Sequence, residues 1–168
     1  MIPVLYTSEE TAFESNGLGR LSDCVSCEVT EARNGIFECE FKYPITGRHY
    51  ADIAIGNIIY CTHDETKTPQ PFDIYKKTAP IDGIVTFNAH HISYRQANII
   101  LQPFEAETCI QAVQRLNPNS INPNPFTYTT NKVVSADFKL TAPASVKSIL
   151  AGSSGSILDV FGTGEYKY

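Results

Sequence analysis

Apolar and polar residues alternate along most of the first ninety positions, and a period of two predicts strands rather than helices. Ile2–Thr7 is a short apolar run, followed by the turn-rich stretch Ser15-Asn16-Gly17-Leu18-Gly19. Two alternating runs then flank Arg33-Asn34-Gly35. Val25, Cys27 and Val29 are in phase before it, and Phe37, Cys39, Phe41 and Tyr43 after it. A two-residue Asn-Gly turn would set Val29 opposite Glu40 and mix apolar with charged side chains. A three-residue loop instead pairs Val29 with Cys39, Cys27 with Phe41 and Val25 with Tyr43. That is the predicted hairpin, with Gly35 supplying the left-handed residue. Its opposite face carries Ser26/Lys42, Glu28/Glu40 and Thr30/Glu38. The like-charge pair is locally unfavourable, so this face is wet or selected for acidity.

Further alternation follows in Ile53, Ile55, Ile59 and Cys61 within Asp52–Thr62, in Phe72 and Ile74, and in Val85, Phe87 and Ala89. Glycines and prolines punctuate these runs, and several short antiparallel strands imply a barrel or sandwich. The pattern changes near Tyr94. Pro103 with Glu105 and Glu107 opens an expected helix whose apolar face is Ala106, Cys109, Ile110, Val113 and Leu116. After an Asn/Pro-rich loop, strands are expected at Phe126–Thr130 and Ala136–Leu140. A short helix is expected from Pro143 through Leu150, a helical turn or two at Ser156–Phe161, and β character at Glu165–Tyr168. The fold class is therefore mainly β with an α+β second half. An incomplete antiparallel β-barrel over 1–93 precedes a small mixed α/β domain over 94–168, and both are expected to be completed by chain beyond residue 168.

Composition narrows the function classes. The 168 residues are 42% hydrophobic, ordinary for a globular chain, but only 18% charged. The net charge of −5, with Lys and Arg dispersed, argues against a nucleic-acid surface. No run approaches the roughly 18 apolar residues of a membrane span, and the N-terminus lacks a signal-peptide pattern. Five cysteines without a secretion signal read as reduced thiols, as in a protein folded in a cytoplasm.

Candidate chemistry is sparse. Cys24-Val-Ser-Cys27 matches CxxC, but within a strand the two thiols face opposite ways, Cys27 to the core and Cys24 to the wet face. His90 and His91, adjacent on a strand, also point apart, and with His63 they make no chelating set. Gly152-Ser153-Ser154-Gly155 lacks the lysine of a phosphate-binding loop and the nucleophile-elbow pattern. No catalytic, cofactor or metal residue is expected.

Several stretches, taken in order, carry a resemblance. These are Gly17-Leu18-Gly19-Arg20-Leu21, Val29-Thr30-Glu31 with Asn34-Gly35-Ile36-Phe37-Glu38, and Tyr43-Pro44-Ile45. Gln70-Pro71-Phe72-Asp73-Ile74-Tyr75 and His91-Ile92-Ser93-Tyr94 come next, and then Gly155-Ser156-Ile157-Leu158-Asp159-Val160-Phe161-Gly162 ahead of Gly164-Glu165-Tyr166. Their order and spacing resemble the N-terminal region of the phage minor structural protein family, also described as prophage tail endopeptidase or tail-associated lysin proteins. Two positions depart from that pattern: Asp73 stands where a basic residue is usual, and Arg95 where an acidic one is frequent.

The resemblance implies a tail-tip or baseplate hub of a long non-contractile tail, built on a tube-like β-barrel with inserted domains. It implies a homotrimeric ring at the distal end of the tail tube, with the distal tail protein, tail tube and tape measure as partners. The chain would be made in the bacterial host cytoplasm and reside in the virion tail. Any wall-cleaving activity would belong to a C-terminal domain outside this chain. On that reading Glu28, Glu38 and Glu40 are expected to face the lumen, where like charge keeps DNA from sticking; an ordinary solvated face is the alternative. Two competing functions remain, a cell-wall peptidase or glycosidase, and a receptor- or carbohydrate-binding module using Tyr94, Phe126 and Tyr128.

Overall fold

The computed structural model of the chain describes residues 2–62, 68–162 and 164, and divides into two compact units at Ile92/Ser93. The first is mainly β. Strands β1 (Val4–Tyr6), β2 (Gly19–Arg20), β3 (Ser26–Glu31), β4 (Phe37–Pro44), β5 (Ile58–Cys61), β6 (Gln70–Lys77) and β7 (Ile84–His91) form one antiparallel sheet. Their spatial order is β2-β1-β5-β6-β7-β4-β3.

Alternation sets which face each strand buries. Phe37, Cys39, Phe41 and Tyr43 of β4 point inward, as do Val85, Phe87 and Ala89 of β7 and Phe72 and Ile74 of β6. The inner face is concave. In a flat sheet β4 and β5, three positions apart, would be separated by about 14 Å. Instead the sulfurs of Cys39 and Cys61 are 3.5 Å apart. The sheet thus curls into the half-barrel expected from the pattern. The segment 21–25 links its two edge strands, with Leu21 donating its N–H to the Pro3 carbonyl and Val25 to that of Lys42.

The β3–β4 register pairs Val29 with Cys39 and Cys27 with Phe41, and the three-residue loop Arg33-Asn34-Gly35 closes it. Two details differ from expectation. Asn34 (φ 51°) takes the left-handed conformation instead of Gly35, because an Asn side chain tolerates that region. Val25, before the first ladder pair, is 61% exposed instead of facing the core. Ile55 is likewise exposed, since a turn at Gly56 (φ 94°) precedes β5 and breaks the phase inferred for Asp52–Thr62. Gly17 is obligatory in its own turn. At φ 54° a Cβ there would lie 2.3 Å from the Leu5 carbonyl oxygen.

The second unit is a small mixed α/β body. Strands β8 (Ile100–Leu101) and β11 (Ala144–Ser145) pair, as do β9 (Phe104–Thr108) and β10 (Ser135–Leu140). Three short helices, α1 (Cys109–Gln114), α2 (Val146–Leu150) and α3 (Ile157–Phe161), are capped by Thr108, Ser145 and Ser156, each accepting a backbone N–H. Phe138 lies in its core beside Phe104 and Phe161.

The helix expected from Pro103 to Leu116 is corrected here. Its first half is strand β9, in which Phe104 and Ala106 are buried while Glu105 and Glu107 are exposed, and Glu105 pairs with Lys139 of β10. Ala106 fits a helical period with Cys109 and Val113 and a strand period with Phe104, and pairing with β10 decides between them. Phe126–Thr130 forms no strand; Asn117 and Asn124 side chains hold this segment by hydrogen bonds to Phe126 O, Ser120 Oγ and Phe126 N. The helix expected from Pro143 starts only at Val146, because β11 occupies the two residues before it. The β character expected at Glu165–Tyr168 lies outside the described residues, as does His63.

Candidate functional site

The half-barrel presents two groups of chemical interest, one on each face of the same strands. On the outer face Glu28 of β3 stands directly opposite Glu40 of β4, and Glu38 stands between Thr30 and His90. Glu28 and Glu40 are exposed and Glu38 is half-buried. The structure therefore brings all three predicted carboxylates onto one face. Partial compensation comes from Lys42, whose Nζ is 3.9 Å from Glu40 Oε1, and from Asn88 Nδ2, which donates to Glu40 Oε2 at 3.3 Å. With both Lys42 and Glu40 about half exposed, that ion pair is weak. Such a patch repels phosphate and other anions instead of binding them.

His90 belongs to this face too, its ring stacked on Tyr75 at 5.0 Å. His91 points the other way. Its ring stacks on Phe37 at 4.4 Å, meets Phe72 edge-on and lies 3.3 Å from Gln70 Oε1 through Nε2. Burial pushes its pKa down to about 4, so it is a neutral ring in the core. The divergence of the two histidines predicted from strand geometry is what the structure has.

The inner face holds a group that the spacing of cysteines in the sequence did not reveal. Cys27 of β3, Cys39 of β4 and Cys61 of β5 converge, with sulfur separations of 3.6 Å (Cys27–Cys39) and 3.5 Å (Cys39–Cys61), and all three lie within 4.8 Å of one another. Cys39 and Cys61 are buried and Cys27 is half-buried. Hydrogen bonds from the Cys39 and Cys61 thiols pull the Cys27 pKa down. The same bonds, together with burial, push Cys39 and Cys61 up. Cys24 differs from expectation. It sits in the turn before β3, packs against the core instead of facing solvent, and directs its thiol at the carbonyls of Ser26 and Lys42. Burial raises its pKa to about 11.

The aromatic residues considered for ligand binding are occupied within the second unit. Phe126 and Tyr128 are half-buried against its core, and the Lys147 ammonium lies 3.9 Å from the centroid of the Tyr94 ring. Among the described residues no helix is long and apolar enough to cross a membrane.

No family model matches the chain, and no curated protein does. Among solved structures, the prophage tail protein gp18 from Listeria monocytogenes has a similar fold, with a TM-score of 0.62 at 13% sequence identity. The similarity covers 88% of this chain and 43% of that one, so the chain spans less than half the length of the protein it matches. At that identity the likeness is one of fold.

Proposed function

We propose that the chain is a structural component of a phage tail, belonging to the tip or baseplate hub. In this reading it forms a homotrimeric ring at the distal end of the tail tube and joins the tube to the fibre or lysin segment beyond. The observation that carries the reading is the likeness of 88% of the chain to a prophage tail protein. The ordered motifs from Gly17-Leu18-Gly19 to the segment ending at Gly162 support the same assignment. Its neighbours would be the distal tail protein, the tail tube and the tape measure, and its task would be assembly, without catalysis. The first ninety-odd residues would be the hub barrel, and the rest a domain inserted in it.

Glu28, Glu38 and Glu40 acquire a use under this proposal. Tape measure and genome must pass through a hub, and an acidic wall repels phosphates by like charge. A cryo-EM map of assembled tails carrying the full-length protein tests the proposal. The expected result is a threefold ring at the distal end of the tube containing this fold, with the three carboxylates on the channel wall. Finding the chain in the tail shaft, or absent from the tail, would overturn the hub assignment. Finding the carboxylates on the outer circumference would overturn the lumen assignment alone.

A further inference from the structure

We infer that Cys27, Cys39 and Cys61 form a three-sulfur site for a soft, thiophilic d10 metal ion, with cuprous copper the best match. The inference does not depend on the tail assignment, since it stands on geometry within the first unit. Three strands that are not all neighbours in the sheet deliver one sulfur each to the same point on the concave face.

The distances suit a metal. The centre of a triangle with sides between 3.5 and 4.8 Å lies roughly 2.0–2.8 Å from its corners, and this range brackets the ~2.3 Å of a zinc–thiolate bond. Three sulfurs around such an ion in a trigonal plane are about 4.0 Å apart, within the span from 3.5 to 4.8 Å seen here. Small shifts of side chains would complete the site, with no backbone rearrangement.

The donor set selects the ion. Among the described residues it contains sulfur alone, and sulfur favours copper(I) and zinc over hard cations. Three donors, with no fourth in the group among the described residues, fit a trigonal copper(I) centre; zinc, which prefers four ligands, would have to recruit water or the Cys24 thiol. Each thiol that becomes a ligand releases its proton to solvent. Cys27 is half-buried on the edge strand β3, which gives the ion a route from solvent. An occupied site would tie β3, β4 and β5 together across the barrel interior.

The test uses the fully reduced chain, purified without metal, titrated separately with copper(I) and with zinc(II) against chromophoric competitors. One equivalent of copper(I) is expected to bind, with three sulfurs at the metal by X-ray absorption and a raised thermal midpoint. Cys27→Ser is expected to weaken binding at least tenfold, whereas Cys109→Ser, in the other unit, leaves it unchanged. Tighter binding of zinc than of copper(I), with loss of the difference in Cys24→Ser, would overturn the three-sulfur copper(I) assignment in favour of a four-ligand zinc site. Two further results overturn the inference: a copper coordination of two sulfurs in the unsubstituted chain, or equal affinities for both ions in the wild type and Cys27→Ser. The coordination number is read on the unsubstituted protein, so a variant that fails to fold does not shelter the proposal.

Discussion

His91 ends β7 and is only 3% exposed, and a proton on its ring would place a positive charge among Phe37 and Phe72. Burial lowers its pKa from 6.5 to about 4, while in the unfolded chain it titrates near ~6.5. Between those values the unfolded state holds a proton that the folded state does not. Stability therefore falls as pH is lowered through this window. The contribution is fully present above about pH 6.5 and fully lost below about pH 4. A gap of about 2.5 pH units at ~1.4 kcal/mol each amounts to about 3 kcal/mol. That is a large part of the stability of a small unit.

His91→Phe keeps a ring against Phe37 and removes the titrating proton, at the cost of the Gln70 hydrogen bond. Urea unfolding followed by circular dichroism, repeated from about pH 7.5 to about pH 4, measures the effect. Carboxylates that titrate at the acid end contribute to both proteins and cancel in the difference. The wild type is expected to lose about 3 kcal/mol more than His91→Phe over that range. Parallel pH profiles, or an NMR titration placing the His91 pKa at or above its ordinary value, would refute the reasoning.

Two further outcomes follow from packing and backbone geometry. Phe41, fully buried and stacked on Phe87 at 4.9 Å, is expected to cost about 3–5 kcal/mol when changed to Ala, read as a lower urea midpoint at an unchanged slope. Asn34 holds φ at 51° in the β3–β4 loop, so Asn34→Ala should destabilise by about 1 kcal/mol while Asn34→Gly is close to neutral; equal losses in thermal melts would refute the left-handed assignment.

How much of this was legible beforehand differs from element to element. The β3–β4 register could be read because a one-residue slip would have buried Glu40 beside Val29, and the hairpin is closed by residues adjacent in the chain. The placement of Glu28, Glu38 and Glu40 on one face followed from the same phase. The stretch after Pro103 misled, because buried positions at Ala106, Cys109 and Val113 satisfy a helical period although Ala106 belongs to a strand. Only the partner β10, some thirty residues later, separates the two. Cys24 misled for a related reason: its phase assumed that β3 begins earlier than Ser26.

The sequence by itself determined most of the half-barrel's strands, their inward and outward faces apart from Cys24, Val25 and Ile55, and the acidic stripe, since side-chain alternation is a local property of a pleated backbone. Only the tertiary structure decided that Cys27, Cys39 and Cys61 meet. Each is seen in the sequence as one more inward residue on its own strand, and their spacings resemble no ligand motif. Their convergence depends on the order β5-β6-β7-β4-β3 and on the curl that folds β5 toward β3 and β4. Strand order and curl arise from pairing and packing between distant segments, and no local period encodes them.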